Sequence, residues 1–214
     1  DGFLAPYGPT TAERRHPGFR IARDGHECQW NGPSWPFATS VTLTGLAHLL
    51  QKRESAEVNR RSFFETLICY TRSHYLRENG RTIPWIDENL DPFTGTWLAR
   101  EIMSSWLNSG IKRSSMFHER GKDYSHSTYA DLIIHGLCGI TTDSRKKIRI
   151  NPLLPAECWD YFLLDGVKIS GYDLTVQFDR DGSRYQRGNG LAVYVDGVEI
   201  RRCPAGLGTI EISL

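Results

Sequence analysis

Residues 83–97 read IPWIDENLDPFTGTW and carry three carboxylates, Asp87, Glu88 and Asp91, between two tryptophans, Trp85 and Trp97. Carboxylates accept hydrogen bonds from sugar hydroxyls and move protons. Indole faces offer a broad apolar surface with one polar edge, which suits the C–H face of a sugar ring. Pro84, Asn89, Pro92 and Gly95 mark the stretch as a loop between two regular segments. The combination suits a saccharide-handling site. It equally describes a surface turn with solvated acids, because loops are polar for many reasons.

A second cluster lies upstream, in QWNGPSWPF. Gly32-Pro33 makes a turn, Ser34 suits the N-cap, and Pro36 fits the first turn of a helix expected over about 35–52. Trp30, Asn31 and Trp35 therefore sit at a helix mouth, where free N–H groups and the positive dipole end gather. The two indoles and the Asn31 amide are candidate sugar contacts, with Trp35 alternatively a core residue. From the acidic loop, Trp85 is a candidate floor for the site. Asn89 either orients Glu88 or bonds a hydroxyl. His126 opens a later helix, expected over 126–140, and is a further candidate contact; a capping or core role is the alternative. His135 falls on the apolar face of that helix. Five of the six tryptophans precede residue 110, and their density in Gly/Pro-rich loops favours ligand contact over packing.

Other chemistries are excluded. His26-Glu27 does not continue as HExxH, so a zinc-protease reading fails. The five cysteines stand at wide spacings with no CxxC, so neither a metal site nor a cofactor is expected, and the odd count argues against a full disulfide framework. A net charge of +1 gives no electrostatic case for nucleic acid. No apolar run approaches the roughly 20 residues of a membrane helix. At 39% hydrophobic and 24% charged, the 214 residues are globular in composition, enough for one large or two small domains. The chain opens at Asp1 on a loop-like stretch, which reads as a fragment or processed piece.

The positioning elements follow from periodicity. The helix over 35–52 pairs with one expected over 55–78, stopped by Asn79-Gly80, to make a helical hairpin. Residues 98–107 are a short helix or irregular, and 108–123 a polar exposed loop. Residues 141–149 (TTDSRKKIR) read as a basic linker, with phosphate binding as the alternative. From about 148 the pattern alternates with period two, punctuated by Asp165-Gly166, Asp181-Gly182 and Asp196-Gly197, each a hairpin signal. That predicts an antiparallel β domain, a small sandwich or part of one.

Trp30-Asn31-Gly32-Pro33-Ser34-Trp35 resembles the W-x-G-P-x-W segment of the six-hairpin, (α/α)6-barrel glycoside hydrolases of the trehalase-like, family 63 and mannosylglycerate hydrolase group. Glu88-Asn89-Leu90-Asp91-Pro92-Phe93-Thr94-Gly95 resembles their E-x-Y-x-P-x-T-G segment, with Leu90 where that group has an aromatic. The resemblance implies an α+β chain in two parts: the C-terminal portion of an (α/α)6 toroid over 1–145, then a β-sandwich-like domain over 146–214. It implies inverting hydrolysis of an α-linked saccharide, with Glu88 rather than its neighbour Asp87 as general base. Inversion needs two carboxyls roughly 6.5–9.5 Å apart, and no segment here matches the loop bearing the acid. Too few helices are present for twelve, so the missing N-terminal half of the same barrel is the expected partner. A non-catalytic carbohydrate-binding module, or a purely structural half whose β domain braces a barrel, would use the same residues.

Overall fold

A computed structural model describes residues 2–53, 55–111, 120–124, 128–144 and 147–214. The chain is α+β: helices α1 (Pro36–Lys52), α2 (Arg60–Ser73) and α3 (Leu98–Asn108) accompany three antiparallel sheets among the described residues. It divides into two compact units, Asp1–Leu43 with Glu65–Thr128, and Thr44–Phe64 with Tyr129–Leu214. Both units are discontinuous in sequence.

In the first unit the expected helix over 55–78 stops at Ser73. Tyr75–Glu78 (β1) and Arg81–Pro84 (β2) form a hairpin, with Leu76 opposite Ile83 and Glu78 opposite Arg81. Asn79-Gly80 is its turn, not a helix stop. Both residues are left-handed, at φ 52° and 72°, as a two-residue hairpin of matching twist requires. Leu76, Trp85, Leu90 and Trp97 then close a buried cluster. Residues 98–108 are a regular helix that buries Leu98, Ala99, Ile102 and Met103, spaced to cover one face.

In the second unit the helix expected over 126–140 is one turn, Tyr129–Asp131 (α4), that widens into a π-helix over Leu132–Leu137. The Cys138 N–H reaches back five residues to the Ile133 carbonyl, 2.8 Å. Gly136 lies against Phe63, whose ring a Cβ would approach to 2.5 Å. Residues 141–149 are not a linker. They supply Ile140–Ser144 (β3) and Lys147–Ile150 (β4). Ile148 and Ile150 point inward while Lys147 and Arg149 point out, a period-two pattern hidden by the density of charge.

Four further strands, Tyr161–Ile169 (β5), Tyr172–Asp179 (β6), Gly190–Val195 (β7) and Val198–Cys203 (β8), run as a meander in the order β5-β6-β7-β8. The last strand, Ile210–Ser213 (β9), leaves them to pair with β4. Asp196-Gly197 forms the expected two-residue turn, at φ 49° and 80°. Asp165-Gly166 does not. It is a bulge inside β5, where the register with β6 shifts between Leu164 and Val167, and the turn falls at Ser170-Gly171. Pairing with β6 on both sides of the bulge outweighs the local turn preference.

Gly139 (φ 75°) links the π-helix to β3, and a Cβ there would overlap the Asn151 backbone. Gly166 (φ 71°) has open space around it. Gly166→Ala should therefore cost about 1 kcal/mol, the left-handed penalty alone. Gly139→Ala should cost clearly more, about 3 kcal/mol or above, because strain and overlap add. Urea denaturation of both variants checks this; equal losses would mean that the contact with Asn151 is not close.

Candidate active site

Two stretches far apart in sequence are stitched by their backbones. The Ser34 N–H donates to the Leu90 carbonyl and the Leu90 N–H to the Ser34 carbonyl, each 2.9 Å. Thr10 also bridges Ser34, and Trp97 bridges Leu90. The Asn89 Nδ2 adds a third tie, to the Glu27 carbonyl at 2.8 Å. The tryptophan loop and the acidic loop are thus one framework within the first unit.

That framework treats the three acids differently. Asp91 closes its own turn: its Oδ1 accepts the Phe93 and Thr94 N–H groups at 2.9 and 3.2 Å, and its Oδ2 meets the Arg23 guanidinium at 2.9 Å. Asp87 is fully buried. Its Oδ1 accepts the Glu88 N–H at 2.8 Å, and its Oδ2 accepts the Trp85 Nε1–H at 3.2 Å. Gly121 backs directly onto this carboxylate, where a Cβ would overlap it. Glu88 keeps 8% exposure, and its Oε2 stands 3.8 Å from Arg120 Nη2.

Around Glu88 gather groups from three segments. Arg120 Nη2 makes its short contact with Glu27 Oε1, at 2.5 Å. Glu27 Oε2 lies 3.6 Å from His26 Nδ1. Burial pushes the Glu88 carboxyl up from its ordinary value; Arg120 and a hydrogen bond from the Cys28 thiol pull it down, and the charges of Glu27 and Asp87 raise it again. The outcome is a raised pKa. Burial also raises Glu27, but its own backbone N–H and Arg120 outweigh that and hold it below its ordinary value. Burial and the Glu88 charge raise both the Cys28 thiol and the Tyr124 phenol.

The tryptophans divide between packing and exposure. Trp35 is 1% exposed, and its Nε1 donates to the Gln29 carbonyl at 2.6 Å. Trp30 is 49% exposed and stacks on Trp35 with ring centroids 4.0 Å apart, while Tyr124 meets the other indole edge-on at 6.3 Å. Trp85 and Trp97 are core residues, so the density of indoles reflects packing more than the sequence suggests. Lys122 Nζ lies 4.9 Å from the Trp85 ring. Asn31 is exposed and gives its amide to the Gly18 carbonyl at 3.3 Å. Asn89 is fully buried and holds Glu27, not a solvent-facing position. Leu90, the departure from the aromatic pattern, is 1% exposed and belongs to the core. His126 lies outside the described residues. A cavity of about 550 Å³ runs along α3 past Glu78 and Arg100 and is lined by none of the motif carboxylates. Among the described residues, no group of three or more His, Cys, Asp or Glu side chains is arranged to hold a metal ion.

The model of the mannosylglycerate hydrolase MGH1-like glycoside hydrolase domain matches residues 1–127. The chain belongs to this family. A solved structure titled Sialidase is similar to it, with a TM-score of 0.82 and 39% sequence identity over 99% of this chain and 18% of that one. The chain thus spans less than a fifth of that protein's length. No curated protein matches it.

In this MGH1-like domain Glu27, Cys28, Arg120 and Tyr124 complete the neighbourhood of Glu88, and sequence reasoning missed all four. Glu27 was tested there only as part of a zinc motif, and Arg120 lay in a stretch read as exposed loop. The available signal was proximity: Glu27 and Cys28 lie two and one residues short of Gln29, which leads into the W-x-G-P-x-W segment at Trp30.

Because the Glu88 pKa is raised, the native state holds that proton more tightly than the unfolded chain does. The associated stability is full below the ordinary glutamate range and is lost as pH rises through the raised value. Glu88→Gln should therefore gain stability relative to the parent as pH goes from about 4 to about 7; a gap that stays constant in urea denaturation across that range would contradict it. Arg120→Gln should raise the Glu88 pKa further. Glu27→Gln should lower it, by removing a like charge and freeing Arg120. Carboxyl 13C NMR titration reads both, and shifts of the same sign would refute the bridged arrangement.

Proposed function

We propose that this chain is the base-bearing part of an inverting glycoside hydrolase acting on an α-linked saccharide, with Glu88 as general base. One observation carries the reading: Asp87 has both carboxylate oxygens bound within its own loop and Asp91 has them bound by its own turn and by Arg23, whereas the Glu88 carboxylate meets the Arg120 guanidinium only at 3.8 Å. In the reaction, ionised Glu88 takes a proton from a water as its oxygen attacks the anomeric carbon. The glycosidic oxygen leaves with a proton from a general acid, and the anomeric configuration inverts. A raised pKa suits the role, since a base of higher proton affinity draws the proton more strongly, provided it is ionised at the working pH. Activity should fall as pH drops through that raised value.

Glu27 is unsuited to be the acid. An acid must hold its proton until the bond breaks, and the Arg120 contact favours the ionised form. We assign the acid, and the remaining hairpins of an (α/α)6 toroid, to a partner segment outside these 214 residues. Phe37 and Val41, 42% and 57% exposed on α1, are apolar positions such a segment would cover. Trp30 offers its free face to a sugar ring, and Trp35 supports it from behind. Asp87 and Asn89 act as positioning residues. His126 remains a candidate contact in this reading. The sheets of the second unit make a sandwich-like accessory part.

The test uses the longer enzyme. Glu88→Gln should lower kcat by about 10²–10⁴-fold, the range for loss of a general base. Saccharide binding should stay nearly intact, and 1H NMR of fresh parent product should give the inverted anomer. Unchanged turnover would sink the base assignment. Loss of binding without loss of kcat would favour a carbohydrate-binding module instead.

A further inference from the structure

The meander sheet of the second unit has two unlike faces. Along β6, Leu174, Val176 and Phe178 pair with Val195, Val193 and Leu191 of β7 and form the buried apolar side. Thr175, Gln177 and Asp179 alternate with them and face the other way. The register sets Gln177 between Leu163 of β5 and Ala192 of β7, and Thr175 opposite Tyr194. A face of this kind is ordinarily solvated. Here Gln177 is 1% exposed, and its Nε2 has no hydrogen-bond partner among the described residues.

The cover is the loop over residues 180–189, and it is fixed from both ends. Asp179, itself 1% exposed, accepts the Gly182 and Tyr185 N–H groups at 3.1 and 2.8 Å. Arg202 of β8 donates to the carbonyls of Arg187, Gly188 and Asn189 at 2.7, 3.1 and 3.1 Å, and to the Tyr194 hydroxyl at 3.1 Å. Glu199 holds that guanidinium in place at 2.5 Å. Tyr185 meets Tyr161 edge-on at 6.0 Å, and Arg187 lies 5.8 Å from the Tyr194 ring. Under this roof a cavity of about 310 Å³ remains, lined by Asp165, Thr175, Gln177, Tyr185, Arg187 and Tyr194 among others.

We propose that this cavity is a saccharide-contact site, formed by the outer face of the β5–β8 sheet and its clamped loop. Its size is at the lower end of ligand pockets, enough for one pyranose ring. One carboxylate and one guanidinium balance, so the lining does not select an ion. The half-buried Tyr185 ring offers flat apolar surface, whereas Tyr194 is only 5% exposed, and Asp165 and the Gln177 amide supply an acceptor and a donor for hydroxyls. Thr175 donates its hydroxyl to Asp165 and so orients that carboxylate. Because the loop is already ordered, binding would cost little in chain entropy. The site lies in the second unit and does not rest on Glu88 being a base.

The test is protein-observed NMR on the 214-residue chain, titrated separately with α-linked disaccharides of glucose, mannose and rhamnose. At least one should shift the Gln177 side-chain amide and the Tyr185 ring saturably, with a Kd of about 1–10 mM. Tyr185→Ala and Gln177→Leu should each weaken it at least ~10-fold. Glu88→Gln should leave it unchanged, which separates failure here from failure of the catalytic reading. Gln177→Leu should also keep or raise Tm, because it removes a buried unpaired donor. No shift of the Gln177 amide up to about 50 mM of any probe, or binding that survives in either pocket variant, would overturn the proposal.

Discussion

The two hydrogen bonds between Ser34 and Leu90 are the constraint on which the neighbourhood of Glu88 depends. They join segments more than fifty positions apart in the sequence, so closing that loop costs entropy that local contacts do not return. Burial of Trp35, Leu90 and Trp97 beside the junction offsets it. Once the pairing exists, Asn89 can hold the Glu27 carbonyl, and Glu27 can meet Arg120 close to Glu88. Each later contact is positioned by backbone groups, which tolerate little displacement.

Within that frame most of the acidity is structural. A carboxylate taken out of water must find hydrogen bonds or pairing charges. Asp91 finds them in its own turn and in Arg23; Asp87 finds them in the next peptide N–H and the Trp85 indole. Glu88 is supplied less fully, and burial leaves its pKa raised despite Arg120 and the Cys28 thiol. Sites that work on substrates commonly sit at such under-satisfied positions, held there by surroundings that are themselves well satisfied. Glu27 and Arg120 set how far the shortfall goes, one raising and one lowering the proton affinity of the same oxygen pair.

The α+β class, α1 and most strands of the second unit were legible in the sequence, because period and turn chemistry act locally. So was the special status of residues 88–95, through motif spacing. The failures share a cause. Asn79-Gly80 and Asp165-Gly166 each carry a left-handed glycine, and the meaning of that step depends on what pairs alongside. One became a hairpin turn where a helix stop was expected, and the other a bulge where a turn was expected. The strands β3 and β4 were masked by charge although Ile148 and Ile150 kept the alternation. Composition counts indoles in loops but not which of them face inward, and Trp85, a candidate floor for the site, lies with Trp97 in the buried cluster. Glu27 has the tryptophan segment beside it as a local signal, but Arg120 has none, since its relation to Glu27 exists only across 93 positions of chain.

The clamp made by Arg202 has one more consequence. Its guanidinium grips carbonyl oxygens of the 187–189 backbone, groups that every amino acid possesses. Apart from Gly182 and Gly188, which hold left-handed steps at φ 80° and 89°, the path of that loop is therefore set without its side chains. Such a segment can exchange its displayed residues while its path stays put, much as a picture frame outlasts the pictures. It is a natural grafting platform, on which new surface chemistry could be installed without redesigning the sheet beneath.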